Sequence, residues 1–341
     1  PLLKAGFNAG FHGFDAYKYT LENTPFFATT RPYTELAFIL GAKAEQVVDF
    51  LHTQNKKDNF NFSLQYRFSN APGALKNQNA NLNNLRFTSH YKSNNKKYEL
   101  FFVYLSNKTA SSENGGLQSP SKLDSLSLND PYELETRLGK SVTASRNPFN
   151  TAVSTGNVYT ESQIVIRQQY DLGTKDSSIV DSVTYKIFYP RLRLQHTLTI
   201  GSNAYQFLDA NVDSIKYKLY FNKSVRAGIP IGYKDSWNDI TNEFSVLTFP
   251  DKNNQSQYLK TGIAYQSLKG TFDTVVKTSL YNIYAVGAYK NRSKNKIWDI
   301  DAAAKLFLNG RNSGDYEASI YLQRYLGAKA GYLTVGFNNL S

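Results

Sequence analysis

Alternation with a period of two residues constrains this chain more than any other feature. Over 60–68, Phe60, Phe62, Leu64, Tyr66 and Phe68 alternate with Asn61, Ser63, Gln65 and Arg67 without a break. Over 84–91, Leu85, Phe87 and Tyr91 interleave with Asn84, Arg86, Thr88 and His90. Over 191–200, Leu192, Leu194, Leu198 and Ile200 oppose Arg191, Arg193, Gln195, Thr197 and Thr199. Over 297–308, Trp298, Ile300, Ala302, Ala304, Leu306 and Leu308 oppose Asp299, Asp301 and Lys305. Successive strand residues point to opposite faces, so each segment predicts a strand with one apolar and one polar face.

Weaker copies lie at 5–19, 33–40, 44–53, 97–106, 158–170, 203–212, 215–222, 257–267, 271–278, 280–290, 314–325 and 330–338. Together they predict about 14–16 or more strands, many near the roughly 9–11 residues that cross a bilayer when tilted. No sustained stripe at i, i+3, i+4, i+7 interrupts them, so the chain is expected to be all-β with almost no helix. Between the segments stand Ser93-Asn94-Asn95-Lys96, Lys290-Asn291-Arg292-Ser293-Lys294-Asn295 and Asn309-Gly310-Arg311-Asn312-Ser313-Gly314. Asn and Gly tolerate the positive φ of tight hairpins. Two stretches read as long loops: 107–157, with three prolines, and 223–255.

Composition decides what lies outside such a sheet. The 341 residues carry 39 Lys+Arg against 27 Asp+Glu, a net +12, with 19% charged and 14% aromatic residues. That aromatic content excludes an intrinsically disordered chain. Mean hydropathy is −0.47, which suggests a soluble protein, yet a transmembrane β-barrel hides its apolar surface in every second residue. Many rings stand near segment ends (Tyr33, Phe68, Tyr91, Tyr104, Tyr170, Tyr189 and Tyr265 among them), where a membrane girdle would place them. A soluble β-sandwich would show shorter strands and more even loops. The expected fold is therefore a single transmembrane up-and-down antiparallel β-barrel over 1–341, with short turns on one rim and long loops on the other. Phe60, Phe62, Leu64, Tyr66, Leu192, Leu194, Leu198, Trp298 and Ile300 are expected to face lipid.

The first half adds a likeness. It contains Thr24-Pro25-Phe26, Arg31-Pro32-Tyr33-Thr34-Glu35-Leu36, Glu45-Gln46 and His52-Thr53-Gln54-Asn55. Then follow 60–67, Asn83-Asn84-Leu85-Arg86, Glu113-Asn114-Gly115-Gly116 and Gln168-Gln169-Tyr170-Asp171-Leu172-Gly173. Best over 20–173, this order resembles the "putative porin" family of Bacteroidota, outer-membrane β-barrels. The resemblance implies an outer-membrane address and transfers no site residue. The last residues, Asn338-Asn339-Leu340-Ser341, depart from an aromatic-terminated final strand, and family members are longer. Pro1 opens without Met or a charged leader. The sequence is thus expected to be a trimmed part of a longer barrel.

Enzymatic chemistry finds little support. The chain has no Cys, which removes disulfides, thiolate metal sites and cysteine nucleophiles. It lacks a phosphate loop, a G-x-S-x-G elbow and a zinc helix. His12, His52, His90 and His196 have no metal-ligand spacing, and no cofactor or metal is expected. Gly6, Gly10 and Gly13 read as glycines easing a strand bend. His196 is unusual in sharing a face with Leu192, Leu194 and Leu198, for which a partner protein, a lipid headgroup or a local bulge would account.

The polar faces instead suggest a wet bore lined by Arg67, Arg86, Arg167, Arg191, Arg193, Lys216, Lys218, Asp299, Asp301 and Lys305. Their basic excess would attract anions unless acids pair with them. Basic residues are too dispersed for a nucleic-acid surface. The function expected is a porin-like passive channel for small polar or anionic solutes, with outer-membrane lipid and lipopolysaccharide as surroundings. A non-conducting barrel inside a secretion or assembly complex, with envelope partners or as a homo-oligomer, is the alternative. A soluble carbohydrate-binding β protein is the third reading.

Overall fold

The computed structural model describes residues 4–10, 12–139, 152–180, 183–252, 254–273 and 275–341. Thirteen antiparallel strands form one sheet in sequence order. They are β1 (Tyr33–Leu40), β2 (Gln46–Asn55), β3 (Phe60–Ala71), β4 (Ala80–Lys92), β5 (Tyr98–Ser112), β6 (Thr155–Val180) and β7 (Val183–Asp209). Then come β8 (Ile231–Thr248), β9 (Tyr258–Phe272), β10 (Val276–Arg292), β11 (Trp298–Gly310), β12 (Tyr316–Gly327) and β13 (Gly331–Leu340). The strands β1 and β13 are its edges. Among the described residues no helix is long and apolar enough to cross a membrane, which leaves crossing by strands open.

Register separates the two faces. The chain of opposed residues Asp49, Arg67, Asn84 and Asn107 continues through Glu161 and Asn203 to Trp237, so these share one face. The other face carries Leu194, Phe244 and Ile263 in the same way, and they are 46%, 59% and 52% exposed. The polar face is the buried one: Asn84 and Asn282 are fully enclosed. A soluble protein has the reverse arrangement.

What encloses the polar face is the segment 4–29. Ala5 packs with Ala264, Tyr284 and Phe307, and its amide donates to Glu317 of β12. Farther along, Gly10 abuts Asn203, Tyr19 packs on Val103, Leu105 and Val165, and Thr29 reaches Asn55 of β2. Lys4, beside the β12 contact, lies 3.5 Å from Glu22, whose neighbour Asn23 accepts from Arg86 of β4. Eight strand spacings separate β4 from β12, about 38 Å if flat. One ion pair spans that gap, so the sheet curls around the segment as a barrel wall would.

Several expectations change here. The segment 5–19 is not a strand: Gly6 and Gly10 take positive φ, turning the chain across the sheet instead of along it. Segments 191–200 and 203–209 of 203–212 are one strand, β7, and 271–278 straddles the β9–β10 turn. Most of the predicted loop 223–255 is strand β8. Its outward positions Lys234, Ser236 and Asn238 are polar, and only Ile240, Phe244 and Val246 mark the lipid-type face, so the rhythm is faint. Of the loop 107–157, residues 107–112 belong to β5 and 155–157 to β6, and 140–151 lie outside the described residues.

The segment 215–222 is largely the helix α1 (Ser214–Phe221), so Lys216 and Lys218 are not strand residues. Asp213 caps its first turn by accepting from the amides of Ile215 and Lys216, and Asn222 ends it in the left-handed conformation. The long connections that follow β5 and β7 leave from the same end of the sheet, as the short-turn, long-loop pattern predicts. There Lys76 binds Glu135 at 2.8 Å, Asn77 donates to Thr136, and Lys216 donates to the Thr136 carbonyl. At the opposite end the β6–β7 hairpin runs beyond the pairing of β5 and β8, from 171 to 191.

Gly6 tests the enclosure. A Cβ there would run into the Phe307 ring, with Cε2 only 2.9 Å away, at a φ of +85° that side chains avoid. Gly6→Ala is expected to loosen the segment while the strands hold. Limited proteolysis should then cut within 4–12 faster than in the parent protein, and equal cutting would refute the packing.

Candidate functional site

The inner face contains most of the expected lining. Arg67, Arg86, Arg167 and Arg193 stand on it, as do Asp299, Asp301 and Lys305, each opposing another residue of that face. Arg191 does not belong to the alternation: Leu172 opposes Leu192 and Gly173 opposes Pro190, leaving Arg191 as the unpaired residue of a bulge. Lys216 and Lys218 sit on α1 at the long-loop rim, where the Lys218 ammonium donates to Asn222. The nine residues expected to face lipid all lie on the outer face, in register with one another's neighbours.

Acids neutralise much of the basic excess. Arg193 meets Asp171 through two hydrogen bonds of 2.6 and 2.8 Å, and Arg67 lies 2.5 Å from Asp49. Lys260 pairs with Glu243, Lys92 with Glu99, Lys290 with Asp301 and Arg292 with Asp299. The last two pairs engage Asp301 and Asp299, the two acids of the expected lining. Among the described residues, Arg86, Arg167 and Lys305 have no acid within ion-pair distance. Arg86 lies over the Tyr19 ring at 4.3 Å and donates to Gln65 and Asn23, and Lys305 lies over Tyr284 at 4.2 Å. Burial of such cations is tolerated because rings and amides replace part of their hydration.

His196 stays on the outer face with no bulge beside it. It bonds Gln168 at 3.1 Å and Asn242 at 3.3 Å, and stacks on Phe244. Its polarity is satisfied by a cross-strand amide cluster. Among the described residues no group of three His, Asp or Glu side chains could hold a metal ion.

Sequence reading missed the most built part of the inner face, where the segment meets the wall. Asn107 donates to the Tyr19 carbonyl and accepts from its amide, both at 2.9 Å, imitating a strand pairing. Asn84 donates to the Tyr17 carbonyl at 2.5 Å. Lys18 is held between Asp15 at 3.0 Å and Glu161 at 2.9 Å. Between residues 7–10 and strands β5 to β8 remains a cavity of about 320 Å³, lined by Asn8, Thr109, Tyr159, Tyr205, Asp235 and Trp237 among others. The positive-φ glycines were the one available signal, since they break a strand while leaving its hydrophobic pattern intact.

Charge makes this docking sensitive to acid. Burial alone would lower the Lys18 pKa, but Glu161 and Asp15 outweigh it and raise it above the ordinary value. Burial would likewise raise Asp15 and Glu22, while Lys18 and Lys4 respectively help hold them below the usual carboxylate range. Depressed carboxylates stabilise docking above their unfolded pKa and lose that contribution as pH falls through the folded values. The raised Lys18 contributes until pH climbs past its own folded value. Hydrogen exchange in 4–29 is therefore expected to be slow at pH 7 and faster, after correction for intrinsic rates, below about pH 4. Unchanged protection would refute the electrostatic anchoring.

No curated protein sequence matches this chain. A family profile does, and it covers residues 3–341, extending the likeness seen in the first half through the last strand. With an all-β up-and-down sheet of inverted polarity beneath it, that match is decisive: the chain belongs to the family described as "Putative porin".

Proposed function

We propose that the protein is an integral outer-membrane β-barrel through which small polar solutes diffuse passively. One observation carries this reading: exposed Leu, Ile, Phe and Tyr gather on the sheet face opposite the segment, while the polar side chains are enclosed. In water such a surface would drive aggregation. In a bilayer it matches the hydrocarbon, and the ladders satisfy the backbone groups that lipid cannot. Family membership supports the same address.

Solutes would pass between the inner wall and segment 4–29. Paired charges give the wall a modest field, so the residual preference for anions rests on Arg86, Arg167 and Lys305. Lipid would surround the apolar band, and the exposed Lys223 and Arg226 of the 210–230 connection would meet lipopolysaccharide phosphates. The segment across the inner face and the protruding β6–β7 hairpin favour a second reading, a non-conducting barrel that docks envelope partners.

Purified protein in planar bilayers discriminates the two: discrete conductance steps support the channel, and silence defeats it. The outer face is tested by Leu194→Arg, which places a charge in the apolar band at a cost of about 2–4 kcal/mol near mid-bilayer. Its assembly should fall, read as loss of heat-modifiable gel mobility. Arg167→Glu is expected to assemble and to shift reversal potentials toward cations. Arg193→Glu is expected to misassemble, because it would face the buried Asp171 carboxylate. Normal assembly of Leu194→Arg would reverse the faces.

A further inference from the structure

The outer face holds a polar cluster with apolar neighbours on each strand that carries it. Gln168 of β6 donates to His196 Nδ1 of β7 at 3.1 Å, and the other ring nitrogen, Nε2, then donates to Asn242 of β8 at 3.3 Å. Tyr98 of β5 adds a bond to the Gln168 carbonyl at 3.3 Å. The outward neighbours are Tyr170 and Ile166 along β6, Leu194 and Leu198 along β7, and Phe244 and Ile240 along β8. Water and lipid headgroups reach the cluster only across these apolar rows, and acyl chains offer it neither donor nor acceptor. Its internal bonds use part of its capacity. Among the described residues, one N–H of Gln168 and both of Asn242 meet no acceptor, and each amide carbonyl keeps a lone pair.

We propose that the outer face of β6–β8 packs against a second copy of this chain; the proposal rests on the membrane placement and not on conduction. A polar group within hydrocarbon is satisfied only by another polar group at its own depth. A copy inserted in the same orientation supplies Gln168, His196 and Asn242 at that depth by symmetry. A lipid supplies none, and a different protein would need its own residues matched to that depth. About a twofold axis along the bilayer normal the surface meets itself, so surplus N–H groups of one cluster face carbonyls of the other. Shape points the same way. A groove of about 500 Å³ lies beside the cluster, lined by Tyr98, Tyr170, Leu194, His196 and Val246 among others, and Phe244, which also lines it, is 59% exposed. A projecting ring and a groove side by side let each copy offer its ring to the other's groove.

Cross-linking tests the surface cleanly, because the chain has no Cys of its own. In isolated membranes, Leu198→Cys beside the cluster should give a dimer with a short bismaleimide, and Phe87→Cys on the outer face of β4 should not. The triple variant Gln168→Leu, His196→Leu, Asn242→Leu makes the patch uniformly apolar, which a merely lipid-facing surface would tolerate. It should keep heat-modifiable mobility and weaken self-association in detergent about tenfold, read by analytical ultracentrifugation. If it fails to assemble, the two cysteine variants decide. A monomeric parent, an unchanged dimer in the folded triple variant, equal cross-linking from Phe87→Cys, or a cross-link only to a different protein would overturn the assignment. A membrane-embedded monomer sinks this proposal alone, whether or not it conducts. Recovery in the soluble fraction sinks the membrane placement with it.

Discussion

Every backbone N–H and C=O that enters hydrocarbon must find a partner within the protein, because lipid supplies none. A sheet whose strands each pair with both sequence neighbours meets that demand, and here eleven of the thirteen strands lie between two partners. Once the backbone is satisfied laterally, side chains alone decide which face is wet. The outer face is left to Leu, Ile, Phe and Tyr, whose exposure would be costly in water and is neutral in lipid. The inner face is left with polar groups that must satisfy one another.

They do so mostly with short neutral side chains. Ser63 meets Thr88 at 2.6 Å, Asn61 bonds both Thr53 and Asn55, and Asn282 links Gln266 to Asn312. Amides and hydroxyls can be enclosed without the desolvation penalty that an unpaired ion suffers. Where ions do occur they come mainly as cross-strand pairs, so the wall is closer to local neutrality than the net charge of the chain implies. A solute crossing such a wall would meet hydrogen-bonding groups more than a field.

Legibility in the sequence tracks this same division. Strands β3, β4, β7 and β11 were plain because each holds a stretch, 60–68, 84–91, 191–200 or 297–308, in which lipid-type residues fill most of one face. Strand β8 was hidden because its first half puts Lys234, Ser236 and Asn238 on the outer face and Tyr233 and Trp237 on the inner one, reversing the rhythm of its second half. Helix α1 alternates Ile215, Lys216, Tyr217, Lys218 and Leu219 like a strand, and only its Asp213 and Asn222 caps distinguish it. Segment 4–29 imitated the rhythm over 5–19, but its buried residues Ala5, Lys18 and Tyr19 do not alternate and pack against the inside of the sheet. Its partners stand as far as 312 residues away in the chain, as with Ala5 and Glu317, a distance no local pattern reports.

That segment converts a wall into a site. Two apolar contacts pin it, Ala5 against Phe307 and Tyr19 against Val103 and Leu105. Between the pins Phe7 meets Trp237, Phe14 meets Tyr159 and Lys18 is held by Asp15 and Glu161, so the chain bridges the curved sheet at separate points. The space beneath is therefore bounded by rigid strands on one side and a backbone with two positive-φ glycines on the other. Anchoring by buried rings at both ends makes the roof persistent, and anchoring by carboxylate–lysine pairs makes it responsive to protons. Without it the sheet would offer an open polar surface; the segment encloses that surface and ties its distant strands together.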